Sequence, residues 1–279
     1  MIRVVTLRKD LYSIRRFIEE DETICVINPD DGSLSNLHQL DGHPGVIFHR
    51  ISGARFDDWD LQLATHFEIQ GHRLINRPHI LKLLRSKLDQ ALFFQKNNIP
   101  HPDWLAFRER YLDQDKNKKF IQKCKNGFVL KLERGNQGIG VNYYADLNQL
   151  NQMLETLWAL GDQRFVISPF LKIKKECRLL VIGKNLSSCL ERIPVLGGFK
   201  SNFHQEGHAK VSKPSPLMEQ LSLKCHHLLG LDYASYDFVE TQDGQTYLLE
   251  INPVTGFEQV EKVAKINVAK ALLALAKKS

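Results

Sequence analysis

The sequence predicts an α/β protein whose later part is α+β. Short strands alternate with amphipathic helices in the first part of the chain, which is typical of a parallel sheet covered by helices. Pairs of strands joined by glycine-containing turns follow later, which indicates antiparallel hairpins. The 279 residues, of which 43% are hydrophobic, suffice for one large domain or for two to three small ones.

Three units are predicted in chain order. The N-terminal α/β unit covers residues 1–85, with strands at Ile2–Leu7, Thr23–Ile27 and Val46–Ile51 and helices at Leu11–Glu20 and Leu61–Ile69. The middle unit covers residues 86–166, with helices at Ser86–Asn97, Lys119–Cys124 and Leu147–Leu160 and strands at Trp104–Phe107 and Phe128–Glu133. The C-terminal unit covers residues 167–279; it begins around a strand at Phe165–Leu171 and ends in a helix at Gln259–Lys277.

The composition argues against several classes of protein. The formal net charge of +6 permits anionic partners, but the basic residues are spread along the chain, so we expect no direct nucleic-acid partner. No apolar run reaches membrane-spanning length, and charge occurs too early for a signal peptide. Five cysteines without a C-x-x-C pair indicate a reducing cytoplasm rather than a disulfide framework or a zinc site.

The most informative stretch is a predicted hairpin near the C-terminal end. Tyr233–Thr241 and Thr246–Ile251 are the predicted strands, and Asp243-Gly244 between them is a strong signal for a two-residue turn. With that turn, Asp237 lies directly opposite Glu250, and their side chains share one face of the hairpin.

Asn252 joins Glu250 on this face, because side chains alternate along a strand. The residues expected on the other face are apolar: Phe238, Leu249 and Ile251. Two facing carboxylates repel each other unless a cation lies between them or one of them is protonated. Mg²⁺ accepts such an all-oxygen set of ligands. An exposed hairpin with incidental charges is the alternative on register alone.

A second candidate site follows the strand Phe128–Glu133. The loop Arg134–Val141 carries three glycines, which would let backbone N–H groups approach phosphate oxygens. The loop matches neither a Walker A sequence nor a dinucleotide fingerprint, and a plain hairpin turn is an equal alternative. Lys131 favours an anionic ligand, because a lysine in an apolar strand needs a negative partner or a route to solvent.

A second hairpin carries arginines. Its strands flank the turn Gly183-Lys184, so Arg178 and Arg192 lie at the same end of the hairpin. Lys200 and Asn202 follow nearby in sequence. Guanidinium groups suit phosphate and carboxylate oxygens, and surface ion pairing is the alternative.

As an ordered set, these residues resemble the ATP-grasp superfamily, and within it the RimK-like ligases that add glutamate to a ribosomal protein. The stretches that carry the resemblance are KLERGNQGIGV, ECRLLVIG, LERIP followed by GFKSNFH, and LLEINPVTGFEQVE. The resemblance implies an N-terminal α/β domain followed by a two-lobed ATP-grasp fold that holds ATP between its lobes. It also implies a ligase that joins a carboxylate to an amine through an acyl phosphate.

The resemblance further implies roles for single residues. Those implied to bind ATP are Lys87, Lys131, Gly135, Gln137, Gly138, Ile139, Gly140 and Lys200. Those implied to hold one or two Mg²⁺ or Mn²⁺ ions are Asp237, Glu250 and Asn252. Arg178 would stabilise the phosphate in transfer, and Arg192 and Asn202 would lie near the acyl phosphate. The implied partners are an amino acid and a carboxylate-bearing peptide or protein; a homo-oligomer is left open.

Three departures from the family pattern bear on the substrate. Pro169 stands where the family has an acidic residue, and Pro253-Val254-Thr255-Gly256 lacks the usual proline before glycine. Gln205-Glu206 stands where the family has arginine and glycine. Glu206 would repel a second carboxylate, so we expect glutamate to bind less well here and a neutral or basic amino acid to be accepted. The alternatives are a nucleotide-binding protein of this fold without ligase activity, in a regulatory or ribosome-associated role, and a basic RNA-binding module.

Overall fold

The computed structural model describes residues 1–30, 44–52, 58–107, 109–135, 138–161, 164–192 and 209–278. Within these residues the chain forms one parallel and two antiparallel sheets. The predicted combination of an α/β part and an α+β part is therefore confirmed. In the described part of the chain, no helix combines the length and apolarity needed to span a bilayer.

The first sheet is parallel and comes from the N-terminal part of the chain. Its strands are β1 (Ile2–Val5), β2 (Cys25–Ile27), β3 (Val46–His49) and β4 (Arg73–Ile75), and its helices are α1 (Tyr12–Glu20), α2 (Trp59–Ile69) and α3 (Pro78–Arg85). The strand order is β2-β1-β3-β4. Strand β4 is absent from the sequence-based prediction, because three residues are too few to show a period.

The second sheet is antiparallel. Its strands are β5 (Phe128–Leu132), β6 (Val141–Tyr144) and β7 (Phe165–Pro169), in the order β6-β5-β7, and the helices of this region are α4 (Lys87–Lys96), α5 (Lys118–Lys123) and α6 (Leu147–Ala159). The predicted strand Trp104–Phe107 is wrong: Leu105 forms a single bridge with Ile167, and the chain does not continue the pairing. Strand β7 runs across the predicted boundary at residue 166; the division into three units itself stays a prediction.

The third sheet is antiparallel and has five strands. These are β8 (Ile173–Ile182), β9 (Asn185–Arg192), β10 (Ala209–Val211), β11 (Tyr233–Thr241) and β12 (Thr246–Asn252), in the order β10-β9-β8-β11-β12, with helices α7 (Pro216–Leu229), α8 (Glu258–Ala264) and α9 (Val268–Lys277). The prediction of one continuous last helix is wrong, because Lys265 adopts a left-handed conformation (φ +57°) and Asn267 caps a new helix. Helix α7 was missed, although Ser215 and Pro216 are regular start signals.

The first and third sheets share a hydrophobic core. Val4 and Phe48 of the first sheet belong to one buried cluster with Leu180 and Leu190 of the third, and Phe257 belongs to the same cluster. A second buried cluster covers the opposite face of the third sheet and includes residues of α3, α4 and α7. The third sheet is therefore buried on both faces, which explains why β11 is almost continuously buried.

Buried polar contacts tie these two sheets together. Arg50, which follows β3 and is 6% exposed, donates hydrogen bonds to the Tyr233 hydroxyl at 2.6 Å and to the Thr255 carbonyl oxygen at 3.0 Å. The Asn76 side-chain amide donates to the carbonyl oxygen of Tyr233 at 2.8 Å. The start of β11 is thereby fixed against the first sheet.

We expect Tyr233→Phe to lower the free energy of unfolding by about 1–2 kcal/mol, because a buried N–H of Arg50 loses one acceptor. Chemical denaturation followed by circular dichroism measures the change. Tyr111→Phe is the matched control, since Tyr111 is 55% exposed and its hydroxyl makes no hydrogen bond within the described residues. Equal denaturation midpoints for the two variants would show that the Arg50 contact does not stabilise the junction of the sheets.

Candidate active site

The structure places Asp237 of β11 directly opposite Glu250 of β12, which is the predicted pairing. The turn that produces it differs from the prediction. Thr241 faces Gln245 across a three-residue loop, in which Gly244 has a φ of +81°. This longer loop shifts the register by one residue, and a β-bulge next to Asp237 shifts it back.

The bulge changes which apolar residue of β12 faces the core. Phe238 pairs with Leu248, and Leu248 is fully buried in the cluster that includes residues of α7. Leu249 is the extra residue of the bulge and lines the cavity described below. The prediction that Leu249 points into the core is therefore wrong, because the strand's alternation is interrupted at that residue.

Arg178 holds the Asp237 carboxylate in place. It lies opposite Asp237 on the neighbouring strand β8, and its Nε and Nη2 atoms donate to the two carboxylate oxygens at 2.6 and 2.5 Å. Arg192 Nη1 lies 3.9 Å from Asp237 Oδ2, and the Asn252 side-chain nitrogen lies 3.5 Å from the same oxygen. Four of the residues that the sequence singles out thus form one cluster.

Glu176 belongs to the same cluster, and the sequence analysis missed it. It lies opposite Arg192 in the β8–β9 pair and accepts a hydrogen bond from Arg192 Nη1 at 2.6 Å. It is only 5% exposed. Its position two residues before Arg178 puts both side chains on one face of β8, and that spacing is the signal that could have identified it.

Two lysines line the cavity together with these residues. Lys87, the first residue of α4, donates from Nζ to the carbonyl oxygen of Gly135 at 2.7 Å. Lys131 lies in β5, and its side chain makes no hydrogen bond or ion pair with any described residue. An ammonium group in this position is available to an anionic ligand.

The glycine loop lies beside the lysines. Gly138 and Gly140 have φ values of +72° and +75°, which other residues adopt rarely, and a Cβ at Gly140 would lie 2.8 Å from the Leu132 side chain. Ile139 is 65% exposed at the tip of the loop. The remaining predicted site and substrate-loop residues lie outside the described part of the chain: Gln137, Lys200, Asn202, Gln205 and Glu206.

A cavity of about 200 Å³ lies between the second and third sheets. Apolar side chains from both sheets line it, among them Val129, Val166, Phe170, Leu248 and Leu249. Its charged lining residues are Lys87, Lys131, Glu176, Asp237 and Glu250. The apolar lining suits an apolar part of a ligand, the two lysines suit negative charges on it, and the carboxylates suit a cation bound with it.

The electrostatics of the cluster distinguish its two opposed carboxylates. Burial favours the neutral form of Asp237, but Arg178 and Arg192 outweigh it and lower the pKa of Asp237. Burial raises the pKa of Glu250, and the negative charge of the neighbouring Asp237 raises it further, whereas Lys87 and Arg178 act to lower it. Burial and the nearby Lys87 lower the pKa of Lys131. Glu250 and Lys131 are thus the groups whose charged forms would gain from a bound counter-charge.

The donor atoms of the cluster fit Mg²⁺. Asp237, Glu250 and Asn252 supply only oxygen ligands, and a few of these are enough, because Mg²⁺ keeps several waters and phosphate oxygens. The Glu250 side chain accepts no hydrogen bond from a described residue, so its carboxylate oxygens are open to a cation. Asp237 Oδ1 has a further lone pair besides the one that Arg178 uses, and the second lone pair of Oδ2 is approached by the Asn252 amide at 3.5 Å. The described residues contain no group of three or more His, Cys, Asp or Glu that could hold a metal ion, so the candidate ligands are two carboxylates and an amide.

Comparison with known proteins identifies the class. The RimK-like ATP-grasp domain family matches residues 77–276 of this chain. The chain therefore belongs to the RimK-like ATP-grasp family, and it is an ATP-grasp ligase. The membership favours a ligase over the RNA-binding module and over a nucleotide-binding protein without ligase activity.

Individual relatives match almost the whole chain. A probable α-L-glutamate ligase from Psychromonas ingrahamii is 25% identical over 96% of this chain and 92% of its own length. The ribosomal protein bS6–L-glutamate ligase from Escherichia coli is 28% identical over 96% of this chain and 93% of its own. The crystal structure of a RimK domain ATP-grasp protein from Sphaerobacter thermophilus has the same fold, with a TM-score of 0.76 and 18% identity over 99% of this chain and 98% of that one.

We expect Lys131→Met to leave the ligand-free protein as stable as the wild type or more so, because a desolvated ammonium group is removed. The same change should weaken the binding of Mg-ADP by about tenfold or more, because a charge-assisted contact to phosphate is lost. Thermal unfolding with and without Mg-ADP measures both effects. Lys123→Met, at a lysine side chain that is 54% exposed, is the control. If Mg-ADP stabilises Lys131→Met as much as it stabilises the wild type, Lys131 does not contact the nucleotide.

Proposed function

We propose that this protein is an ATP-dependent carboxylate–amine ligase that forms an amide bond through an acyl phosphate, adding an amino acid to a peptide or protein. The observation that carries the proposal is the arrangement of Asp237. Arg178 holds this carboxylate charged and opposite Glu250, in a cavity that two lysines also line. Such a combination of opposed carboxylates, arginines and lysines suits the transfer of a phosphoryl group.

The proposed nucleotide site uses both sides of the cavity. Lys87 and Lys131 would contact the phosphates of ATP, and backbone N–H groups of the loop around Gly138 and Gly140 would approach the same oxygens. The apolar side chains from the second and third sheets would enclose the base. Gln137 and Lys200, which lie outside the described residues, are assigned to this site on the resemblance alone.

The proposed metal site consists of Asp237, Glu250 and Asn252, holding one or two Mg²⁺ or Mn²⁺ ions. When bound, the metal would neutralise phosphate charge and polarise the γ-phosphate. The arginines act beside it. Arg178 would stabilise the phosphoryl group while it is transferred. Arg192 and Asn202 would lie near the acyl phosphate.

The proposed reaction has two steps. An oxygen of the substrate carboxylate attacks the γ-phosphorus, the bond to the β,γ-bridging oxygen breaks, and ADP leaves. The nitrogen of the amine then attacks the acyl carbon and expels inorganic phosphate, and the amine's proton leaves with the phosphate or with solvent. The protein positions the reactants and neutralises charge, so none of its side chains needs to act as a nucleophile.

The relatives support the proposed substrates. One is named an α-L-glutamate ligase, and another a ligase that joins L-glutamate to ribosomal protein bS6. We therefore propose an amino acid as one substrate and a peptide or protein carboxylate as the other. A screen of ATP consumption against amino acids and peptides, with mass spectrometry of the products, tests this proposal. ADP release that no candidate pair stimulates would contradict it. Glutamate, a neutral and a basic amino acid belong in the panel because of Glu206, which lies outside the described residues.

We expect Glu250→Gln to fold like the wild type and to lose at least about 100-fold in the turnover of Mg-ATP, because a metal ligand is removed from the phosphoryl-transfer site. The free protein should be equally or more stable, since one of two facing carboxylates loses its charge. ADP release and thermal unfolding are the two measurements. The control is Glu258→Gln, at an exposed carboxylate that pairs with Lys262 within α8. Near-normal turnover in Glu250→Gln would refute the metal assignment.

A further inference from the structure

Charged side chains alternate in sign along one face of the third sheet, in the order Glu176, Arg192, Asp237, Arg178. Arg192 Nη1 lies 2.6 Å from a Glu176 oxygen and 3.9 Å from an Asp237 oxygen. Arg178 is bound to both oxygens of Asp237. Of these two carboxylates, Arg192 forms a hydrogen bond with Glu176 and only approaches Asp237.

The sheet itself enforces this unequal sharing. Glu176 and Arg192 are direct partners in the β8–β9 pairing, whereas Arg192 and Asp237 lie on strands separated by β8. The side chains of Arg192 and Glu176 are 11% and 6% exposed, so water screens their attraction little. Loss of the Glu176 carboxylate is unfavourable for the buried Arg192 guanidinium and favours its approach to another carboxylate within reach. Asp237 is within that reach.

We propose that Glu176 is a positioning residue that holds Arg192 away from Asp237 and so keeps the Asp237 oxygens available to the metal. The proposal rests on the proposed metal site. A carboxylate offers roughly four lone-pair positions. Arg178 already occupies one on each oxygen, and the Asn252 amide approaches Oδ2 at 3.5 Å. A second arginine docked on Asp237 would occupy the positions that a metal ion needs. Removing Glu176 would therefore weaken metal binding without removing a metal ligand.

The test measures the affinity of the ADP-bound protein for Mn²⁺ by electron paramagnetic resonance, a readout that does not depend on turnover. We expect Glu176→Gln to weaken Mn²⁺ binding by about tenfold. Glu176→Asp keeps the charge on a shorter arm and should weaken it by only about two- to fourfold. Glu191→Gln is the matched control, because Glu191 adjoins Arg192 in β9 and pairs with Lys210, and it should leave Mn²⁺ affinity unchanged.

A second background distinguishes positioning from direct coordination. In Arg192→Met there is no guanidinium to capture Asp237, so Glu176→Gln should change Mn²⁺ affinity by less than about twofold there. The same tenfold loss in that background would make Glu176 a metal ligand and overturn the proposal. Wild-type affinity in Glu176→Gln would overturn it as well. If Glu176→Gln does not fold, Glu176→Asp takes its place. Its two- to fourfold loss of Mn²⁺ affinity should then occur when Arg192 is present and disappear in the Arg192→Met background. Wild-type protein that binds no Mn²⁺ with ADP would instead contradict the proposed function itself.

Discussion

The ion pair between Arg178 and Asp237 is the contact on which the rest of the site depends. Asp237 is 6% exposed, and a carboxylate so deeply buried stays ionised only if a cation meets its oxygens. Arg178 does so from the adjacent strand, at 2.6 and 2.5 Å. Because Asp237 stays charged, burial and this neighbouring charge together disfavour the ionised form of Glu250. A divalent cation between the two carboxylates would relieve that repulsion.

The surrounding fold keeps these side chains in register. The third sheet is packed on both faces, by the core that it shares with the first sheet and by the cluster against α7. Its edge strand β12 is held from outside by Gln90 of α4, whose side-chain oxygen accepts the Ile251 N–H at 2.8 Å. Leu248 N–H donates to the Pro100 carbonyl oxygen at 2.9 Å on the same edge. These contacts flank the bulge and keep Glu250 facing Asp237.

Much of this arrangement could be predicted from the sequence, because strand alternation is a local property. It placed Asp237 opposite Glu250 and brought Arg178 and Arg192 to one end of a hairpin. The pairing was right because two departures cancel: the turn is one residue longer, and the bulge at Leu249 restores the register. The support from Gln90 could not be predicted, since it is a contact with α4, which is distant in sequence. The bulge could not be predicted either, because strand alternation does not reveal a change of register within a strand.

In the proposed reaction, this site activates a carboxylate by transferring the γ-phosphate of ATP to it. The most direct measurement uses the carboxylate substrate identified by the screen, labelled with ¹⁸O in both oxygens. The wild-type enzyme turns over this substrate with Mg-ATP and the amine, and the released phosphate is analysed by mass spectrometry. Transfer through an acyl phosphate predicts one ¹⁸O atom in each phosphate released. Unlabelled phosphate, formed while the amide product accumulates, would contradict the account.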